Sequence, residues 1–89
     1  MESLKRRDRI EIYSDILEAA KDGATKREIS NKALMSNNRA NAYLDYLKKF
    51  KLLEQSGQIY TTNNKGLDFL SKYNGIAELL QLEDKVVID

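Results

Sequence analysis

The chain contains no cysteine, histidine, tryptophan or proline. Without cysteine there is no disulfide staple and no thiolate, as nucleophile or as metal ligand. Without histidine the commonest general base and metal ligand is missing. Zinc fingers, Cys-His pairs and Ser-His-Asp triads are therefore excluded. The four glycines form neither a phosphate-cradling loop nor a nucleophile elbow. The remaining carboxylates and tyrosines fall at solvent spacing on amphipathic stretches. The expectation is a protein that is not an enzyme, with no cofactor, metal or small-molecule ligand. Long apolar runs are also lacking, so no membrane span is expected. Met1 to Ile10 is charged rather than apolar, which does not suit a signal segment. A soluble cytoplasmic protein is the expectation.

At 89 residues the chain suits one domain with a modest core. A core of that size is marginal, so a partner that covers apolar surface would help it. The formal net charge is +1, but the charge is unevenly spread. Between Lys26 and Lys51 there are seven basic residues, opposed only by Glu28 and Asp45. Lys5, Arg6, Arg7 and Arg9 form a second basic cluster, while Glu78, Glu83, Asp84 and Asp89 make the end acidic. Such asymmetry fits an anionic partner at one face, or a solvated lysine-rich surface.

Hydrophobic periodicity predicts a first helix over Asp8–Asp22, with Tyr13, Ile16, Leu17 and Ala20 inward and Gly23 as its cap. Thr25-Lys26-Arg27-Glu28 is a capping box that opens a second helix ending near Ala33. Leu34-Met35-Ser36 is a short apolar turn, and Ser36 suits the N-cap of a third helix over Asn37–Phe50. The buried stripe of that helix is Ala40, Tyr43, Leu44 and Leu47. Its opposite stripe is Asn38, Ala42, Asp45 and Lys49, flanked by Arg39, Asn41 and Tyr46. Strand-like pieces follow at Leu52–Gln55 and Gln58–Thr62, with Ser56-Gly57 as the hairpin turn. Asn63 is placed to cap a last helix. There Phe69, Tyr73, Ile76 and Leu80 step by 4, 3 and 4, as in a short coiled-coil seam. Leu67, Leu79 and Leu82 fall off that seam, so one face cannot hide every leucine. Asn74-Gly75 is a signal to end or bend the helix.

The order helix, helix, turn, helix, hairpin, helix predicts a mainly α fold with a small β-hairpin: a winged helix-turn-helix. Residues 1–82 would form the domain and 83–89 an acidic tail. A helix-turn-helix places its second helix in the major groove of duplex DNA. Asn37, Asn38, Arg39 and Asn41 supply short donors for base edges, because Asn can pair with adenine and Arg with guanine. Ala42 lets the backbone approach, and Lys26, Arg27, Lys48 and Lys49 suit phosphates. Amides opening the second helix also favour a phosphate. Ser36, Tyr46 and Gln58, the last on the wing, complete the candidate DNA contacts. Asp45 would repel phosphate, unless it pairs with Lys49 or accepts from a cytosine amine.

The stretches Arg9–Ala20, Leu34-Met35-Ser36, Tyr43–Leu47, Leu52-Leu53-Glu54 and Lys65–Leu70 resemble small archaeal winged-helix proteins. That family includes the dimeric chromatin proteins of Sulfolobus and related predicted regulators. The resemblance spans about residues 8–77. It implies duplex DNA binding through the third helix and the wing, and a homodimer through the last helix, at Leu67, Phe69, Leu70, Tyr73, Ile76, Ala77 and Leu80. This chain departs from the pattern with its shorter last helix carrying Asn74-Gly75, with Asn63 where threonine usually caps, and with Ala40 in place of a larger apolar residue. The preferred expectation is a nucleoid-associated transcriptional regulator. A sequence-tolerant architectural protein and a protein-interaction module are the alternatives.

Overall fold

The computed structural model describes residues 8–80. Lys5, Arg6, Arg7, Leu82 and the acidic tail fall outside the described residues. The elements are α1 (Arg9–Ala19), α2 (Lys26–Lys32), α3 (Asn37–Lys49), β1 (Leu53–Ser56), β2 (Ile59–Thr62) and α4 (Asn64–Leu80). Helices α1, α2 and α3 meet over Ile16, Leu17, Ile29, Leu44 and Leu47, the largest fully buried side chains. Each such side chain is worth about 1.5–3 kcal/mol when buried.

Local signals start the helices as expected. Asp8 caps α1 by accepting from the Glu11 amide at 2.9 Å. At α2, Thr25 Oγ1 accepts from the Glu28 amide at 3.2 Å, and Glu28 Oε1 accepts from the Thr25 amide at 2.9 Å. The end of α1 departs from the expectation, because the helix stops at Ala19 with Ala20 as its cap. Gly23, at φ +93°, lies beyond that end. It turns the chain so that Ala24 and Tyr60 exchange backbone hydrogen bonds of 2.9 and 2.8 Å. The turn before α2 thus forms a one-residue bridge to the hairpin.

In the hairpin Ser56 pairs with Ile59, so the loop is Gly57-Gln58. The expected turn was one residue early. Gly57 has φ +61°, which suits a tight turn with glycine first. The second strand alternates, with Tyr60 and Thr62 buried and Ile59 and Thr61 exposed. The buried Thr62 hydroxyl donates to the Leu17 carbonyl at 2.7 Å, and its amide donates to the Ala20 carbonyl at 3.0 Å. These bonds satisfy carbonyls at the C-terminal end of α1 that have no partner within the helix.

Asn63 works on both sides of its junction. Its Oδ1 accepts from the Gly66 amide at 2.9 Å, and its Nδ2 donates to the Lys51 carbonyl at 2.7 Å. Lys65 Nζ donates to the Phe50 carbonyl at 2.8 Å, so α4 also closes the end of α3. Helix α4 runs unbroken through Asn74-Gly75, contrary to the expected interruption. A glycine inside a helix costs about 1 kcal/mol, less than the burial of Leu70 and Ala77 on either side returns.

The inward face of α4 is Gly66, Leu70 and Ala77, with Tyr73 half-buried between them. Leu70 and Ala77, expected at a dimer seam, are therefore turned inward. At 100° per residue Leu67 falls on the flank away from Phe69, Ile76 and Leu80. Phe69 packs partly against the core, while Ile76, Leu79 and Leu80 are exposed. Among the described residues, no helix is long and apolar enough to cross a membrane.

Candidate nucleic-acid interface

The junction between α2 and α3 is held by short-range polar contacts. The Ser30 hydroxyl lies 2.8 Å from the Lys26 carbonyl and 2.7 Å from Asn37 Oδ1. The Ser30 hydroxyl shares its proton between these two acceptors and so ties the first residue of α2 to the first residue of α3. The Met35 amide donates to the Ser30 carbonyl at 3.0 Å, and Ser36 Oγ accepts from the Arg39 amide at 3.2 Å. Ser36 and Asn37 thus shape the turn as well as standing near the candidate interface. Leu34 sits in this turn at φ +58° with its side chain 82% exposed.

Helix α3 buries Ala40, Leu44 and Leu47. That choice turns Asn38, Ala42, Asp45 and Lys49 outward, all exposed as expected. Asn37, Asn41 and Lys48 lie along the flank toward the hairpin, and Arg39 and Tyr46 along the other, at 100° per residue. An open groove of about 530 Å³ runs between the start of α2, the start of α3 and the hairpin. Its walls are Thr25, Lys26, Arg27, Asn37, Gln55, Gln58 and Tyr60. The fold therefore brings Lys26, Arg27, Asn37 and Gln58 to one concavity.

Tyr46 stands elsewhere. Its ring stacks on Tyr13 of α1 at 5.2 Å between centroids and leans on Phe50 at 4.7 Å. Burial, followed by a hydrogen bond to Tyr46, holds the Tyr13 hydroxyl above its ordinary pKa of 10.0. Tyr46 spends one ring face on packing, so its place is on the α1 side of α3 rather than in the groove. Of the two alternatives for Asp45, an ion pair with Lys49 does not occur among the described residues; the Lys49 ammonium lies 5.7 Å from the Phe50 ring centre.

The capping box modifies the phosphate site expected at α2. The Thr25 and Glu28 side chains already bond to each other's amides there, and Glu28 adds a negative charge. The cationic character of this end comes from Lys26 and Arg27. Among the described residues, the ion pairs are Lys21–Glu18 at 3.4 Å and Lys72–Asp68 at 2.7 Å. Neither uses a cation of α2 or α3, so the positive charge there is uncompensated by direct pairing. Thr25, Gln55 and Tyr60 were missed as groove residues. Strand alternation carried a signal for Gln55, which shares a face with the buried Leu53 and pairs with Tyr60. No group of three or more metal-ligating side chains occurs among the described residues.

The sequence profile of the winged helix-turn-helix family matches residues 6–81. Among solved structures, the chain is similar to Sso10a-2, described as a DNA-binding protein from Sulfolobus solfataricus. That similarity has a TM-score of 0.70 at 23% identity, over 93% of this chain and 100% of the other. Identity at that level speaks to the shared fold. No curated protein matches the chain. With a two-helix turn unit, a two-stranded wing and a profile match over nearly its whole length, this chain belongs to the winged helix-turn-helix family.

Proposed function

We propose that this chain binds double-stranded DNA, with α3 in the major groove and the β1–β2 hairpin as a wing against the adjoining backbone. The observation that carries this reading is the outward side of α3. Asn38, Asn41 and Ala42 are exposed there, between cations at Lys26 and Arg27 and at Lys49 that make no ion pair among the described residues. A face of that kind offers base-edge donors at its centre and phosphate ligands at its margins. Arg39 contacts DNA from the other flank. Asp45 sits on the same face, where it disfavours phosphate and fits an exocyclic amine. The similarity to a DNA-binding protein supports the reading.

The role is regulation of transcription at the nucleoid, by binding rather than by catalysis. A net charge of +1 is small for a bulk DNA coat, whose affinity rests on many phosphate contacts. The chain acts as a homodimer through Phe69, Tyr73, Ile76 and Leu80 of α4. Ile76 and Leu80 are 53% and 64% exposed, and a second copy would cover them. A two-fold dimer reads a palindromic site. The test is fluorescence anisotropy with a labelled random duplex of about 30 base pairs, titrated at several salt concentrations. The expected log–log slope is several units, about −0.9 for each phosphate contact. Absence of binding at low salt would overturn the proposal and favour a protein partner for α3.

A further inference from the structure

Lys48 differs from its neighbour Lys49 in what it does. Lys49 is exposed, whereas Lys48 is half-buried, and its ammonium donates to Gln55 Oε1 at 2.6 Å. Gln55 continues the chain: its Nε2 donates to the Gly57 carbonyl at 2.9 Å, at the tip of the hairpin. The same ammonium lies 5.8 Å from the centre of the Tyr60 ring, the residue paired with Gln55 across the strands. One cation from the last turn of α3 thus holds the amide of β1, the ring of β2 and, through Gln55, the loop between them.

The backbone attaches the hairpin at its base through the Leu52 amide to the Leu47 carbonyl at 2.8 Å, and near its far end through the Ala24–Tyr60 bridge, one residue pair before the loop and on the α2 side rather than to α3. Beyond those points the described polar tie from the tip back to α3 is Lys48–Gln55–Gly57. A two-stranded hairpin is marginally stable by itself. Its tip takes a defined angle to α3 only if something fixes it, and a charge-assisted hydrogen bond is a strong choice. Lys48 is also drawn away from the outer face by these contacts, which leaves it poorly placed for a phosphate.

The geometry points to Lys48 as a positioning residue that sets the wing, and Gln58 on it, at the angle at which α3 and the wing engage one duplex together. This rests on the DNA-binding reading above. The bracket replaces the phosphate role expected for Lys48 from charge alone, and leaves that role to Lys49.

The test uses the variants Lys48→Met, Gln55→Met and the double variant, with Lys49→Met as a comparison. All replace side chains outside the core. Duplex affinity is measured by anisotropy across a salt series. Backbone 15N relaxation is measured at the Gly57 and Gln58 amides of the free protein. Lys48→Met and Gln55→Met are each expected to weaken binding by on the order of tenfold. Their salt slopes stay at the wild-type value, and the double variant is no weaker than the worse single one. Both variants loosen the tip amides. Lys49→Met lowers the slope by about 0.9 and leaves the tip ordered. A slope that falls by about 0.9 in Lys48→Met, with additive losses in the double variant, overturns the bracket in favour of a direct phosphate contact. Unchanged affinity, or unchanged tip order, overturns it as well. If the wild-type chain fails to bind duplex, the DNA reading falls, and relaxation in the free protein still decides whether the bracket holds the wing.

Discussion

A methyl group at Gly66 would lie 2.5 Å from the Leu52 carbonyl and 2.5 Å from Thr62 Cγ2. One neighbour is backbone and the other is a β-branched side chain in a buried position, so neither can swing aside. Gly66→Ala is expected to destabilise the fold by about 3 kcal/mol through overpacking, read as a lower midpoint in urea denaturation. Leu34 presents the opposite case. Its φ of +58° strains a leucine, and its exposed side chain gains little from burial. Leu34→Asn is expected to stabilise by about 0.5–1 kcal/mol, because asparagine tolerates the left-handed region. A thermal melt checks this, and a lower midpoint would mean that the leucine makes contacts worth more than the strain. Tyr13 contributes a pH dependence. Its folded pKa is raised above 10.0, so the neutral phenol is favoured in the folded state. That contribution is complete below about pH 10 and is lost as pH rises through the folded value. Stability measured from pH 8 to 11 should therefore fall less steeply in Tyr13→Phe than in the wild type.

At the scale of elements, α4 is continuous across a residue that ordinarily weakens helices. A Cβ at Gly75 would meet nothing within 4 Å, and the position is exposed. Gly75→Ala is thus expected to stabilise by about 0.5–1 kcal/mol, purely by removing backbone freedom from the unfolded chain. For a domain of this size that raises the thermal midpoint by several degrees, on the order of 4–8 °C per kcal/mol. The two glycines of one helix therefore respond with opposite sign. Gly66 is held by close approach of other elements, while Gly75 has only solvent beside it. Helices α2 and α3 depend on caps of a more local kind. Thr25, Glu28 and Ser36 each bond within three residues, and the turn they frame is what aims Asn38 and Ala42 outward.

At the scale of the whole molecule, charge and apolar surface are separated. The groove beside α3 gathers Lys26 and Arg27, while the cleft between α1 and α4 carries Glu11, Asp15 and Glu18 with Leu70 and Tyr73. Exposed Ile76, Leu79 and Leu80 continue from the end of α4. The homodimer proposed at α4 predicts that Ile76→Asp together with Leu80→Asp shifts sedimentation from dimer to monomer. The far-ultraviolet circular dichroism should be retained, since both side chains point to solvent. Duplex binding would then weaken, because two half-sites are no longer engaged at once. A wild-type chain that sediments as a monomer at high micromolar concentration would exclude this surface as a dimer seam.

Much of this architecture was legible along the chain because the signals that specify it are short-range. The Thr25–Glu28 capping box, the Ser36 cap, the inward stripe of Ala40, Leu44 and Leu47 and the glycine at the hairpin turn each act within a few residues. By itself the sequence therefore determined the element order, the winged-helix class and the outward stripe of α3, and the absence of cysteine and histidine bounded its chemistry. Tertiary structure decided whatever depended on a partner far along the chain. Tyr46 finds Tyr13, Ala24 finds Tyr60, and Lys48 turns from solvent to Gln55. The rotation of α4 was also set this way. Its apolar residues spread over more than one face, and the close approach allowed by Gly66 selected Leu70 and Ala77 for the inside. Periodicity marks an amphipathic helix, but packing against other elements chooses which of its apolar edges is buried.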